Sequence, residues 1–349
     1  MVTASEKLGI FFMMVGDSRL RNDIKALRYA AVIYKAYAWE LCEEIGIVTL
    51  LKQGSTAERI MKAKGIKNKI FLEHLLDFLV GVKVLKYVSG KYIFIKAPGF
   101  EKKKYAYLKK NYPYSVEWTH ALRKKAKNTL ITGERRFDAS FDHRRFLELW
   151  DGIMRESPWS FRKLAIKKFC RSIKPDASIL DLGCGSGVST EQILLGCAKP
   201  VNITGMDNSE ESLKKAKKTL ENLYRSTTNQ LVRKNIKNVM FIRSDLSKGI
   251  PTSKKYDVIF MSLLVNHIPE NRRRAFFKSV QKALSGKGTM VVFEIVHKSR
   301  FERVAMWVMH AVPTHQQYPF RDEYIRMLKD VFSDVKSYFD GMIVVAKNS

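Results

Sequence analysis

No run of eighteen uncharged apolar residues occurs anywhere in this chain of 349 residues, so nothing in it reads as a membrane-spanning helix. The apolar GIFFMMVG stretch at 9–16 is too short to cross a bilayer and lacks the small-residue cleavage site of a secretory leader. Cysteine is scarce. Cys42, Cys170, Cys184 and Cys197 form no CxxC pair and no His/Cys cluster, which speaks against a zinc site or a disulfide framework and for four reduced, mostly buried thiols. Internal repeats and low-complexity segments are missing as well. With 46% apolar and 28% charged residues, the composition excludes disordered, collagen-like and disulfide-stapled classes. The expectation is a cytoplasmic protein of about two domains, with peripheral attachment to a membrane as the alternative location.

Acidic residues are few relative to basic ones, and the formal charge is +29. The excess is +14 over residues 1–130, +5 over 131–175 and +10 over 176–349, so it is not a detachable tail. Such a field favours an anionic partner: nucleic acid, an anionic membrane surface or a phosphorylated substrate. A surface that has merely drifted basic accounts for it equally well.

Along the chain, residues 25–45 read as a long helix apolar around most of its circumference, stopped by Gly46. Ser55-Thr-Ala-Glu58 has the capping-box pattern and opens a helix to Lys64, stopped by Gly65; another helix follows at about 69–80. VLKYV and KYIFIK flank Ser89-Gly90 as a small hairpin, completing a winged-helix order of helices and hairpin. Residues 98–175 are helical in tendency, basic and aromatic. From 178 the text changes to SILDLG, VNITGMD, VMFIRSD, YDVIFMS and TMVVFEIV, alternating with helices near 189–196, 209–222 and 270–284. That alternation predicts an α/β, doubly wound (Rossmann-like), mostly parallel sheet, with ligands at the carboxyl ends of its strands.

The first of these strands runs into Asp181-Leu-Gly183-Cys184-Gly185-Ser-Gly187 and then directly into a helix. The glycines allow a sharp turn and a close backbone approach, with helix-start amides facing the ligand. Val188 stands where a dinucleotide fingerprint has its third glycine, which disfavours NAD. Asp207 closes the second strand, placed for the two hydroxyls of a ribose. Asp245 closes the third, placed for the amino group of an adenine. Together these suit an adenosine with a cationic tail.

The set ILDLGCGSG, GMD, RSDL and YDVIFMSLL resembles the class I S-adenosylmethionine-dependent methyltransferases over residues of about 176–349. The resemblance implies a seven-stranded sheet and S-adenosyl-L-methionine as cofactor, with no metal. Asp181, Gly183, Cys184, Gly185 and Gly187 would hold the methionine end, Asp207 and Asn208 the ribose, and Asp245 with Leu246 the adenine, while Ser262 ends the fourth strand beside them. The N-terminal pattern is similar to the winged-helix dimerisation domain of small-molecule O-methyltransferases. That implies a homodimer and three parts: a winged-helix-like domain at 1–100, a helical linker and acceptor-pocket region at 101–175, and the cofactor domain at 176–349.

Methyl transfer from a sulfonium is an in-line displacement, so proximity, alignment and a dry pocket do most of the work. A general base is needed only where the acceptor must lose a proton. In the O-methyltransferases that base is a histidine a few residues after the fourth strand; here Asn266 stands at that position and His267 follows it. His267 and Glu294 are the candidate catalytic residues. Trp150, Met154, Asn266, Met306 and His310 are candidates for lining the acceptor pocket, with His315 a weaker one. The loop after the fourth strand reads MSLL rather than the [DNS]PP[YFW] of base-amine methylation, and no Pro-Cys pair supports cytosine C5 chemistry. The leading expectation is O- or C-methylation of a small or lipid-like molecule. The alternative is an RNA-modifying methyltransferase or a nucleic-acid-binding winged-helix protein, whose phosphate contacts would come from Lys102–Lys104, Arg123–Lys125 and Arg272–Arg274.

Overall fold

The computed structural model describes residues 18–135, 142–156, 158–251, 253–301, 306–312 and 315–348; the GIFFMMVG stretch lies outside them. Contacts divide the chain into two units. One consists of Arg21–Ser157 and His297–His315. The other consists of Pro158–Val296 and Gln316–Ser349, with the described residues up to Leu20.

The helical unit opens with α1 (Ser18–Glu44), longer than its apolar run suggested, followed by α2 (Val48–Gln53), α3 (Ala57–Lys64) and α4 (Lys69–Gly81). The cap of α3 is Thr56, whose side chain accepts from the Arg59 amide at 3.2 Å. This corrects the expected Ser55 cap. Ser55 is taken up by a two-way backbone bridge to Tyr92 and is one residue too early to cap. Antiparallel β1 (Leu85–Val88) and β2 (Lys91–Phe94) join across Ser89 and Gly90, both at positive φ, as a two-residue hairpin turn demands. Helices α5 (Lys102–Asn111), α6 (Pro113–Thr132) and α7 (His143–Arg155) complete this part, and a 3-10 helix at Met306–Ala311 belongs to the same unit.

In the other unit, α8 (Pro158–Cys170) precedes β3 (Ala177–Leu182), α9 (Val188–Gly196) and β4 (Val201–Asp207). Next come α10 (Glu210–Ser226), α11 (Gln230–Lys237), β5 (Val239–Arg243) and β6 (Tyr256–Ser262), and then α12 (Glu270–Ala283) and β7 (Leu284–Phe293). α13 (Arg321–Lys329), β8 (Asp334–Tyr338) and β9 (Ile343–Lys347) close the unit. The sheet order is β5-β4-β3-β6-β7-β9-β8. β5, β4, β3, β6 and β7 run parallel, while β9 is antiparallel to its neighbours β7 and β8. The order reverses between β3 and β6, so the carboxyl ends of β3, β4 and β6 flank the crevice where such folds bind ligands. Leu180, Ile259, Met261, Phe277, Met290 and their neighbours form a core cluster of this unit.

Two of the four cysteines are not free. Cys170 ends α8, Cys197 follows α9, and the two are joined by a disulfide with their Cα atoms 4.9 Å apart. Cys42 and Cys184 are free and buried. The expectation of four thiols fails because a pairing 27 residues apart in sequence is created by packing and carries no local signature. Closing a loop of that length should stabilise by about 3 to 4 kcal/mol on the chain-entropy account. Denaturant unfolding of a Cys170→Ser variant, or of the wild type under a dithiol reductant, is therefore expected to show a loss of that order. Among the described residues, no helix is long and apolar enough to cross a membrane.

Candidate active site

The turn after β3 is built by backbone. Gly183 and Cys184 both donate to the Met206 carbonyl, at 2.8 and 3.1 Å, pinning the loop to the end of β4. Gly183, Gly185 and Gly187 all have positive φ. Their reasons differ. A Cβ on Gly187 would lie 3.1 Å from the Ala216 backbone, whereas one on Gly185 would meet nothing within 4 Å and would project into open space. Gly185→Val is therefore expected to fold with a cost of about 1 to 2 kcal/mol for its left-handed backbone, while blocking the approach of a ligand to the loop. Thermal unfolding and cofactor titration would separate the two effects.

Asp181, next to the carboxyl end of β3, is fully buried. Its Oδ2 accepts from the hydroxyls of Ser189 (2.7 Å) and Thr190 (2.6 Å) in the first turn of α9. Its Oδ1 has no partner. Burial pushes the carboxyl up to about 6, and the two hydroxyls only partly oppose this. A buried carboxylate with an empty acceptor position suits a cationic ligand group. Asp207 ends β4; its Oδ2 accepts from the Gly185 amide at 3.0 Å and its Oδ1 from the Ser209 amide at 2.9 Å. Burial again raises its carboxyl, opposed first by the Ser209 and Gly185 amides and then by His267.

The remaining expected cofactor residues are spread around these two acids. Cys184 is buried, burial pushes its thiol well up, and that thiol donates to the Gly185 carbonyl at 3.9 Å. Asn208 is exposed, and its carbonyl accepts from Arg243 Nε at 3.2 Å. Asp245 is half exposed and 3.7 Å from Lys248 Nζ, while Leu246 beside it is buried. Ser262 ends β6 and its hydroxyl accepts from Arg162 Nε at 2.9 Å.

Arg162 was not anticipated. It is fully buried on α8, and its Nη1 donates to Gln192 Oε1 (3.1 Å) on α9, while the Gln192 amide donates to the Trp159 carbonyl (3.0 Å). Its charge also bears on Asp181. The available signal was a charge at an apolar helical position, since Arg162 shares a face with buried Ala165 and Phe169. Ser189 and Thr190, directly after the glycine loop, were missed as well.

Asn266 and Glu294 meet. Both are buried, and Glu294 follows β7 immediately. Glu294 accepts from the Asn266 amide (3.2 Å), from Asn266 Nδ2 (3.3 and 3.4 Å) and from the Ile295 amide (2.9 Å). Burial raises its carboxyl to about 7 despite these donors. A carboxyl poised there can hold or accept a proton near neutral pH.

The remaining acceptor candidates belong to the helical unit. Trp150 packs with Trp118 (5.3 Å) and Phe146 (6.3 Å), Met154 is buried one turn on, and Met306 opens the 3-10 helix. His310 is buried on that helix, 2.8 Å from His74.

Residues 173–333 match a family model described as a methyltransferase domain. No curated protein matches the chain in sequence. Among solved structures, the CurJ carbon methyltransferase superposes with a TM-score of 0.66 at 13% identity, over 94% of this chain and 92% of that one. The CMeT domain of the citrinin polyketide synthase gives 0.65 at 11%, over 100% and 98%. An O-methyltransferase family 2 protein from Planctomyces limnophilus, in complex with apigenin, gives 0.55 at 12%, over 93% and 95%. At such identities the likeness establishes the fold.

Proposed function

Residues 173–333 are a methyltransferase domain that takes its methyl group from S-adenosylmethionine, and from that premise we propose that the chain methylates a small organic molecule at oxygen or carbon. The observation that carries the cofactor assignment is Asp181, whose unpartnered buried oxygen lies beside a glycine turn open at Gly185. The residues present fit the cofactor. Asp181 takes the ammonium of the methionine end, and the Gly183–Gly187 backbone lies along it. Asp207 takes the ribose hydroxyls with the lone pairs left over from two backbone amides, and Asp245 with Leu246 meets the adenine. When bound, S-adenosylmethionine supplies an electrophilic methyl group on a sulfonium.

The protein's own part is to align the acceptor, exclude water and manage the acceptor's proton. Glu294, raised toward neutrality and oriented by Asn266, accepts that proton; His267, on the Asp207 side, is the second candidate. This assignment explains why an asparagine can stand where the O-methyltransferases have their base: Asn266 holds a carboxylate that does the same work. The acceptor class draws support from the carbon methyltransferases and the apigenin-bound O-methyltransferase with the same fold. Trp150, Met154, Met306 and His310 are proposed to line its pocket. The 1–100 region is proposed to pair two copies, so sedimentation should give a homodimer.

The test is transfer of labelled methyl from S-adenosylmethionine into a fractionated lysate of the source cells, with Asp181→Asn as control. Label in a small organic product supports the reading. Label in RNA or DNA overturns the acceptor class.

A further inference from the structure

Four of the seven histidines, His74, His297, His310 and His315, gather within the helical unit from well-separated positions. His310 is fully buried and its ring stacks on Phe71 with centroids 5.5 Å apart. Arg135 Nη1 donates to the His315 carbonyl at 2.6 Å, and its Nη2 lies 3.5 Å from His310 Nδ1. A guanidinium has donors only. Nδ1 of His310 must therefore accept, so the neutral ring carries its proton on Nε2. That Nε2 is 2.8 Å from His74 Nδ1 and donates to it. His74 in turn carries its proton on Nε2, which makes no hydrogen bond to any described residue.

Both rings are held neutral. Burial first, then His297 and Arg300, bring His74 down to about 4, and burial takes His310 well below the usual imidazole range, helped by His74, His315, Arg135 and His297. The charge inventory is lopsided. Half-buried Arg135 has no carboxylate partner among the described residues. Asp77, on α4 with His74, is already engaged by Arg300 Nε (2.8 Å) and the Tyr92 hydroxyl (2.6 Å). A donor chain that starts at an unbalanced cation can run only one way, and it ends in a single N–H. No group of three or more His, Cys, Asp or Glu among the described residues is arranged to hold a metal ion.

We propose that His74 Nε2, polarised by Arg135 through His310, is the recognition point of a ligand site in the helical unit, and that its ligand is a compact oxyanion, a carboxylate or a phosphate. The site shares His310 with the acceptor pocket proposed above, but its test reads anion binding at His74 and needs neither S-adenosylmethionine nor turnover. It is tested on the full chain with isotope-labelled histidine by NMR, titrating inorganic phosphate and, separately, benzoate. The free protein is expected to show the proton on Nε2 of both His74 and His310. The His74 resonances should then shift saturably with a Kd of about 10 mM or tighter. A response to phosphate alone would assign a phosphorylated ligand, and to benzoate alone a carboxylate. Arg135→Met should weaken the response about tenfold or more, and Arg135→Lys, which restores charge without the fork, should recover part of it. A proton on Nδ1 of His310, no saturable shift with either anion, or an undiminished response in Arg135→Met would each overturn the proposal. Should Arg135→Met fail to fold, the wild-type tautomers, the wild-type titration and Arg135→Lys decide it.

Discussion

Asp181→Asn should bind S-adenosylmethionine about 100-fold more weakly than the wild type by calorimetry, a loss on the order of 3 kcal/mol, with its melting temperature little changed. Asparagine keeps the shape and retains one oxygen for Ser189 and Thr190, but it brings no charge to meet an ammonium. The pH dependence follows from the carboxyl at about 6 in the free protein. A cationic group binds the ionised form, so the bound complex has the lower pKa and binding expels a proton wherever Asp181 is protonated. Affinity should thus be level above pH 7 and fall by up to about tenfold per unit below pH 6. The part of that slope removed by Asp181→Asn belongs to this carboxyl. If the variant binds as tightly as the wild type, Asp181 is a structural cap for α9 and nothing more.

The second large effect is expected at Glu294. With the acceptor in hand, Glu294→Gln should lower kcat by about 1,000-fold, within the range usual for loss of a general base. The cofactor Kd should move little, because Glu294 lies after β7, apart from the acids at the ends of β3 and β4. The wild-type rate should rise as pH passes through about 7, because the ionised form is the one that takes the proton. That limb should vanish in the variant. A merely structural Glu294 predicts something else: a lower melting temperature from mispaired Asn266 and Ile295 donors, with the pH limb intact.

The legible parts of the chain are those where burial and chemistry coincide. Strands β4 and β6 were readable to the residue because each is an apolar run with a strongly polar end. The glycine turn was readable because its positive φ angles demand that residue type, and Asp181 and Asp207 stood out as acids at or near the ends of apolar strands. β8 was not read, since DVKSY lies at the sheet edge, is half exposed, and lacks a buried face to impose alternation. The start of β7 was also missed. Gly286 and Gly288 suggest a turn, but the strand runs through them beside a register shift at Tyr256 and Val258, and a Cβ on Gly288 would lie 2.9 Å from the Tyr256 carbonyl. The Cys170–Cys197 bond, Arg162 and the histidine cluster all depend on distant residues meeting, which local pattern does not encode.

The helical unit is not a module that a single cut could remove. The chain leaves the sheet just beyond Glu294, contributes His297–His315 to the helical unit, and returns at Gln316, whose amide donates to the Asn266 carbonyl at 2.9 Å. Trp307, Val308, Met309 and Val312 in that excursion are buried. An expression fragment starting at Pro158 would therefore carry an apolar segment deprived of its packing partners, and should aggregate. Shuffling experiments that exchange the first 157 residues between relatives would need to exchange 297–315 with them, so the two stretches should be inherited together as one unit of recombination.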